Sequence, residues 1–256
     1  MGIAVFLDVD KTLTQHFIQQ DYARALGCEP EYSVIEQQLQ SRTIDETEFG
    51  ERIISLFASK GLTKDKAREL FSSVPLQPWT AELLTLEGVD KYLVSSGPSY
   101  YIDALANRFN IPQERVRRST YRFDNDTGLI SSCDAVSAGQ KAQFVKERSG
   151  VYDITIGIGD SPEFDGPFVS HCTIPLLTSH KYGYLYIADL NSAVLLIDKL
   201  AKSAPRTVHP QGGLEEPRRL TIPQLWNSLR IETWIFLAGL FGGLGVWVEK
   251  ILSARR

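Results

Sequence analysis

The chain has 256 residues, of which 43% are hydrophobic and 23% charged, as in one large globular domain or two smaller ones. This composition excludes a fully disordered chain, a collagen-like repeat and a protein with several membrane spans. The net charge of −4 argues against nucleic-acid binding, which depends on neutralising phosphates. The cysteines are far apart and predict neither a disulfide framework nor a zinc site: Cys28, Cys133 and Cys172.

Predicted strands and helices alternate along most of the chain. Short uninterrupted apolar runs, typical of parallel strands buried on both faces, occur at residues 3–7, 92–94, 154–158 and 173–177. Helical patterns at 101–106 and 141–145 suit the crossovers between such strands. Residues 118–130 predict a β-hairpin, because Asp, Asn and Gly occupy the turn at 124–128. The alternation predicts an α/β fold with a parallel sheet covered on both faces.

Residues 15–79 differ from the rest of the chain because their apolar spacing is helical throughout. Two capping-box patterns, Ser33 with Glu36 and Thr43 with Glu46, predict helix starts in this stretch. No strand-like run interrupts it. We therefore expect an all-helical insertion of about sixty residues directly after the first strand.

Carboxylates follow two of the predicted strands. Asp8 and Asp10 come directly after the first strand, and Asp160 and Asp165 follow the strand at 154–158. The carboxyl ends of neighbouring parallel strands lie at one edge of the sheet, so these groups are expected to converge. Buried like charges require a cation or shifted pKa values, and an oxygen-only ligand set without Cys or His suits Mg²⁺.

These residues, together with Ser95 and Lys141, resemble the four motifs of haloacid dehalogenase (HAD) superfamily phosphatases. The motifs occur in the family's order over residues 3–202, as Asp8-x-Asp10-x-Thr12, Ser95, Lys141 and Gly159-Asp160-x-x-x-x-Asp165. The insertion at 15–79 and the hairpin before Lys141 are similar to those of the phosphoserine-phosphatase-like branch.

The resemblance implies a role for each motif residue. Asp8 is expected to be the nucleophile, and Asp10 the acid that protonates the leaving group and later the base that activates water. Mg²⁺ is expected on Asp8, the Asp10 carbonyl and Asp160, with Asp165 orienting Lys141 or the waters of the metal. The residues expected to hold the phosphoryl oxygens are Thr12, Ser95, Ser96 and Lys141.

The substrate is less well defined by the sequence. Phe17 occupies the position at which phosphoserine phosphatases use a glutamate to recognise the amino acid, and its ring could contact a cation instead. Asp21, one helical turn further on, is a candidate replacement, and Arg52 is a candidate partner for a substrate carboxylate. Asp21 and Arg52 are also consistent with ordinary solvated residues on a helix face. Phosphoserine is therefore one candidate among several small phosphomonoesters.

The last part of the chain differs in charge and hydropathy. Residues 204–256 carry seven basic and four acidic side chains, whereas residues 1–203 carry 20 and 27. Residues 233–248 contain no charge, and Trp234 and Trp247 bracket them in the manner of interfacial anchors. We expect a membrane-associated segment that either spans the bilayer or lies in its plane. The alternative is a buried C-terminal helix.

Two further expectations depend on the termini. The pair Gly239 and Gly243 has the spacing that lets two membrane helices approach closely, so a homodimer through the tail is a candidate arrangement. The first residues lack the basic start and long apolar run of a signal peptide. We therefore expect a cytoplasmic protein, attached to the cytoplasmic face of a membrane by its C-terminal segment.

The sequence as a whole predicts a Rossmann-like HAD core with an inserted helical cap. The expected boundaries are a core at 1–14 and 80–202, a cap at 15–79, a linker at 203–223 and a membrane-associated segment at 224–256. The expected activity is Mg²⁺-dependent hydrolysis of a small phosphorylated metabolite through an aspartyl phosphate. The alternatives are a phosphatase of a phospholipid-derived substrate and a non-catalytic, membrane-tethered binding protein on the same fold.

Overall fold

A computed structural model describes residues 2–179, 185–187 and 189–203. These residues form a seven-stranded sheet in the order β4-β3-β2-β1-β5-β6-β7, in which all neighbours are parallel except β3 and β4. The strands are β1 (Ile3–Leu7), β2 (Asp90–Pro98), β3 (Val116–Phe123), β4 (Ile130–Asp134), β5 (Ile154–Gly159), β6 (Ile174–Leu177) and β7 (Leu185–Tyr186). The predicted α/β class, the four predicted strands and the antiparallel hairpin are confirmed.

The helices of the described residues occupy both the predicted insertion and the crossovers between strands. They are α1 (Ile18–Ala25), α2 (Glu29–Gln40), α3 (Glu46–Ser59), α4 (Lys64–Glu69), α5 (Thr80–Thr85), α6 (Ser99–Arg108), α7 (Ala138–Ser149), α8 (Gly166–Val169) and α9 (Leu190–Ser203). Short 3-10 turns occur at Leu70–Ser73 and Gln113–Arg115. Residues 15–79 thus contain α1 to α4 and one 3-10 turn, in keeping with an all-helical insertion.

The central strand β1 is buried on both faces. Its odd-numbered residues, such as Val5 and Leu7, belong to one hydrophobic cluster, which also includes α6, α9 and the helices of the insertion. Its even-numbered residues Ala4 and Phe6 belong to a second cluster, which includes α7 and α8. Successive side chains of a strand point to opposite faces, so the uninterrupted apolar run covers both sides of the sheet at once.

The two capping boxes predicted in the insertion are wrong. Ser33 lies inside α2, and its hydroxyl donates a hydrogen bond to the Glu29 carbonyl oxygen at 2.9 Å. The helix begins about a turn earlier, because the fixed φ angle of Pro30 suits the first turn of a helix. Thr43 does not cap α3, since the Asp45 carboxylate accepts bonds from the second and third backbone N–H groups of that helix.

The two chain segments that connect α1–α4 to the sheet run side by side. The Gln15 N–H donates to the Pro75 carbonyl oxygen at 2.9 Å, and the Gln77 N–H donates to the Leu13 carbonyl oxygen at 2.8 Å. Backbone bonds thus hold the entry and the exit of the helical insertion together. They lie next to the carboxyl end of β1, where the predicted site begins.

No helix within the described ranges is both long and apolar enough to cross a membrane. The segment at 224–256 and, apart from Ser203, the linker at 203–223 lie outside the described residues. The predictions made for them, including association with a membrane and dimerisation, stay predictions.

Candidate active site

Three strand ends meet at the edge of the sheet where the predicted site lies. Asp8 and Asp10 follow the carboxyl end of β1, and Asp160 follows β5 on one side of it. On the other side, β2 carries Ser95 near its own carboxyl end. The parallel order of β2, β1 and β5 therefore brings together groups that are separated by up to about 150 residues in the chain.

Lys141 is the buried centre of the site. Its Nζ lies 2.8 Å from Asp8 Oδ1 and 2.6 Å from Asp165 Oδ1, and all three side chains are buried. The first turn of α7 supplies this lysine, and a capping box between Ser137 and Gln140 fixes where the helix begins. Burial acts to lower the pKa of Lys141, but Asp165 and Asp8 outweigh it and raise the pKa above its usual value, so the ammonium stays charged.

Asp165 is held from both sides. One oxygen accepts the bond from Lys141, and the other accepts the backbone N–H groups of Asp160 and Ser161 at 3.0 Å each. The carboxylate sits so close to the end of β5 that a Cβ on Gly159 would lie 2.5 Å from the Asp165 Cβ. Only glycine fits there. Asp165 thus positions both Lys141 and the loop that carries Asp160.

Asp10 is bound to both the insertion and the sheet. Its Oδ1 accepts the Ile18 N–H at 2.7 Å, at the start of α1, and its Oδ2 accepts the Ser95 hydroxyl at 3.3 Å. A Cβ on Gly97 would lie 2.5 Å from Asp10 Oδ2, so a larger residue at this position would displace the carboxylate. Burial raises the pKa of Asp10 to about 6, which places its proton exchange close to neutral pH.

The single positive charge of Lys141 does not offset the negative charge of Asp8, Asp160 and Asp165 together. Burial raises the pKa of Asp8 well above its usual value, and Asp165 raises it further, while Lys141 opposes the rise. Burial, followed by the charge of Asp165, raises the pKa of Asp160 to about 7. A bound cation would stabilise the ionised form of both groups.

The geometry of these carboxylates fits a divalent cation. Asp8, Asp160 and Asp165 offer oxygens that all lie within 4.8 Å of one another. Such a set of oxygen donors suits Mg²⁺ better than zinc. Because Asp165 already uses both of its oxygens, Asp8 and Asp160 are the better candidate ligands. The Asp10 carbonyl expected to complete the set stays a prediction.

Three of the residues predicted to hold the phosphoryl group differ in their burial and in their hydrogen-bond partners. The Thr12 hydroxyl is buried and has no hydrogen-bond partner among the described residues, but Thr12 is not among the residues that line the cavity next to Asp8. Ser95 is buried, and its oxygen accepts the Gly97 N–H at 2.8 Å. The Ser96 hydroxyl instead donates to the Val136 carbonyl oxygen at 2.6 Å.

Ser119 on β3 is a residue that the sequence analysis missed. Its hydroxyl donates to the Ser96 carbonyl oxygen at 2.7 Å and accepts the Val136 N–H at 2.9 Å. It therefore connects the end of β2 to the segment that leads into α7 and Lys141. No sequence signal distinguishes a serine of this kind from any other serine in a strand.

A cavity of about 490 Å³ opens above these groups, between the end of the sheet and the helical insertion. Phe17, predicted to face the substrate, lines it. So does Glu36, which the sequence pattern had assigned to a capping box. Residues from both sides contribute, including Asp8, Asp10, Lys11, Gly97, Ser119, Tyr121, Lys141 and Asp160 from the sheet side and Gln19, Tyr32, Leu39, Gln40, Glu46 and Phe49 from the insertion.

The other two residues predicted to recognise substrate do not line this cavity. Asp21 is buried on α1, where its Oδ1 accepts from Arg24 at 2.9 Å and lies 3.2 Å from His16 Nδ1. Arg52 is exposed on α3 and donates to Glu48 at 2.6 Å. Asp21 is paired with Arg24 and Arg52 with Glu48, and neither side chain lies at the candidate site.

No protein-family model and no curated protein matches the sequence. Solved structures do share the fold. A HAD family hydrolase from Salmonella enterica serovar Typhi matches with a TM-score of 0.60 and 19% identity, over 70% of this chain and 63% of that one. A phosphoserine phosphatase, solved as an analogue of its phospho-aspartyl intermediate, matches with a TM-score of 0.58 and 15% identity, over 69% of this chain and 85% of that one.

A probable phosphoserine phosphatase from Vibrio cholerae is also similar, with a TM-score of 0.57 and 18% identity over 79% of this chain and 66% of that one. The chain therefore has the fold of HAD hydrolases of the phosphoserine-phosphatase-like branch, as its motifs led us to expect. At identities of 15–19%, these similarities show a shared fold and nothing about the activity. The activity has to be argued from the site itself.

Proposed function

We propose that this protein is a phosphatase that hydrolyses a small phosphomonoester through a phosphorylated Asp8. The observation that carries the proposal is the buried cluster in which Lys141 binds both Asp8 and Asp165, with Asp10 next to it. A carboxylate held beside a fixed cation is suited to attack an anionic phosphoryl group. The solved phospho-aspartyl analogue of a phosphoserine phosphatase with this fold supports the same chemistry.

The reaction has two steps. In the first, a carboxylate oxygen of Asp8 bonds to phosphorus, the bond from phosphorus to the alcohol oxygen breaks, and Asp10 donates its proton to that oxygen. In the second, the Asp10 carboxylate accepts a proton from water, whose oxygen attacks phosphorus and releases phosphate from Asp8. A pKa of about 6 lets Asp10 serve as the acid and then as the base near neutral pH.

The phosphoryl oxygens would be bound by Lys141 and by the end of β2 around Ser95, where Ser96 and Gly97 line the cavity. Mg²⁺ held by Asp8 and Asp160 would offset the negative charge shared by the phosphoryl group and its nucleophile. The size of the cavity favours a small phosphomonoester, either a soluble phosphorylated metabolite or a fragment derived from a phospholipid. A protein that only binds its ligand would not need both Asp8 and Asp10.

Removal of divalent metal tests the proposed activity. Wild-type protein with Mg²⁺ is expected to release phosphate from p-nitrophenyl phosphate. EDTA should lower the rate at least about 100-fold, because a bound cation stabilises the charge of the transition state by several kcal/mol. Excess Mg²⁺ should restore the rate. It should also raise the Tm, because the ion binds the folded carboxylates and not the unfolded chain. Turnover that is indifferent to EDTA would contradict the proposed metal site.

We further propose that residues 224–256 attach the enzyme to a membrane, as their uncharged run and flanking tryptophans indicate. The full chain is expected to sediment with vesicles containing anionic phosphatidylserine, and a chain truncated near Pro205 to stay in the supernatant. The truncated chain keeps every residue of the described site and should keep its phosphatase activity. Equal sedimentation of the two chains would rule out this role.

A further inference from the structure

The wall of the cavity that the insertion supplies includes one face of α2 and the first turn of α3. Tyr32, Glu36 and Leu39 follow the spacing of a single helix face, and Gln40 extends it. Glu46 and Phe49 of α3 complete this wall. These six residues, which we call the distal wall, are the part of the cavity that would surround the leaving group of a phosphomonoester.

The distal wall is acidic and lacks a group suited to bind a carboxylate. No arginine lines the cavity among the described residues, and the lysines that line it are Lys11 and Lys141. Lys141 is bound to two carboxylates of the catalytic cluster. Burial raises the pKa of Glu36 and also that of Asp160, and the Lys11 charge opposes both rises, so this ammonium is itself shared between two acids.

Aromatic rings surround the same space. The Tyr32 and Phe49 rings meet edge to face with their centres 6.5 Å apart. Phe17 also lines the cavity, but one face of its ring is covered by the Lys11 ammonium, whose Nζ lies 4.1 Å from the ring centre, so Tyr32 and Phe49 are the rings open to a ligand cation. A carboxylate next to aromatic faces is the environment that recognises ammonium groups, through charge and through cation–π attraction.

We propose that the cavity selects phosphomonoesters whose leaving alcohol carries an ammonium group and no carboxylate. Glu36 would oppose the positive charge, and the rings of Tyr32 and Phe49 would contact the alkyl groups around it. This inference rests on the proposed phosphatase activity. It separates the protein from enzymes that act on phosphoserine, because the carboxylate of that substrate would face the acidic distal wall without an arginine to bind it.

Two matched esters test the role of charge. Phosphocholine and 3,3-dimethylbutyl phosphate have nearly the same shape, but only the first is positively charged at its far end. The wild-type kcat/KM is expected to be at least about tenfold higher for phosphocholine, the size of effect that one desolvated cation–π or charge contact produces. Phosphoethanolamine should likewise be preferred over phosphoserine, which adds the carboxylate.

Variants locate the preference. Glu36→Gln keeps the shape of the side chain and should reduce the ratio of kcat/KM between phosphocholine and its neutral counterpart to about one to three. Glu51→Gln, an exposed change on α3 outside the cavity, should leave the ratio unchanged. Phe49→Leu, which keeps an apolar side chain without the ring, should lower the ratio independently of Glu36.

The outcomes separate this inference from the function on which it rests. If the wild-type protein hydrolyses both matched esters equally well, the phosphatase activity stands and the selection of cations is wrong. If Glu36→Gln and Phe49→Leu both keep the full ratio, the distal wall does not carry the selection. If no ester is hydrolysed, p-nitrophenyl phosphate included, the proposed function and the inference fail together.

Discussion

Replacing Asp8 with asparagine is expected to abolish phosphate release, with a loss of at least about 10⁴-fold in kcat. An amide cannot replace the carboxylate as the nucleophile, so the phosphorylated intermediate does not form. The introduced amide keeps an oxygen that can accept the hydrogen bond from Lys141, which lies 2.8 Å from Asp8 Oδ1. We therefore expect the variant to fold, and phosphate release from p-nitrophenyl phosphate to report on chemistry alone.

A matched substitution controls for the loss of one negative charge. Asp126→Asn changes an exposed aspartate in the hairpin turn, outside the residues that line the cavity, and should leave the rate at its wild-type value. Circular dichroism would show whether both variants are folded. If Asp8→Asn retained more than about a tenth of the wild-type rate, Asp8 would not be the nucleophile.

Replacing Lys141 with methionine is expected to have the largest effect on stability. The substitution leaves Asp8 and Asp165 buried without their shared cation, and breaking a buried ion pair from one side costs about 3–5 kcal/mol. Urea unfolding at pH 7 measures the change in the free energy of unfolding. Lys146→Met, on the exposed face of the same helix, should change it by less than about 0.5 kcal/mol.

The effect of Lys141→Met should depend on pH with a definite sign. Without the ammonium, the folded-state pKa of Asp8, which burial already raises, should rise further above the unfolded value. A carboxylate whose folded pKa is raised loses stability as the pH increases, so the deficit should be larger at pH 8 than at pH 5. The double variant Lys141→Met with Asp165→Asn should recover part of the loss. A deficit that is equal at both pH values would contradict this explanation.

The strand pattern could be predicted because it is a local property of the sequence. The apolar run of β1 has no polar alternation, and such a run is stable only when both faces of a strand are covered, as the two hydrophobic clusters show. The hairpin of β3 and β4 was equally local, since its turn residues lie next to one another. The helix starts in the insertion were predicted less well, because several adjacent residues can cap a helix and only one does.

The substrate side of the site could not be predicted in the same way. Glu36 looked like part of a capping box, and Arg52 like a partner for a substrate carboxylate. The packing of α2 and α3 places Glu36 on the cavity and leaves Arg52 exposed on the surface. Which face of a helix meets a cavity depends on neighbours that are distant in the chain, and short-range spacing does not contain that information.

The sequence by itself determined the α/β class, the central strands and the set of carboxylates at their ends, because hydrophobic periodicity and strand endings are encoded within a few residues. The tertiary structure decided which of these groups touch. Lys141 meets Asp8 across 133 positions of the chain, and Asp165 proved to hold the lysine and the loop of Asp160 together. Such contacts arise only when the sheet aligns its strand ends and α7 packs against them. The acidic, aromatic distal wall likewise exists only in the folded chain, where α2 and α3 close over the end of the sheet.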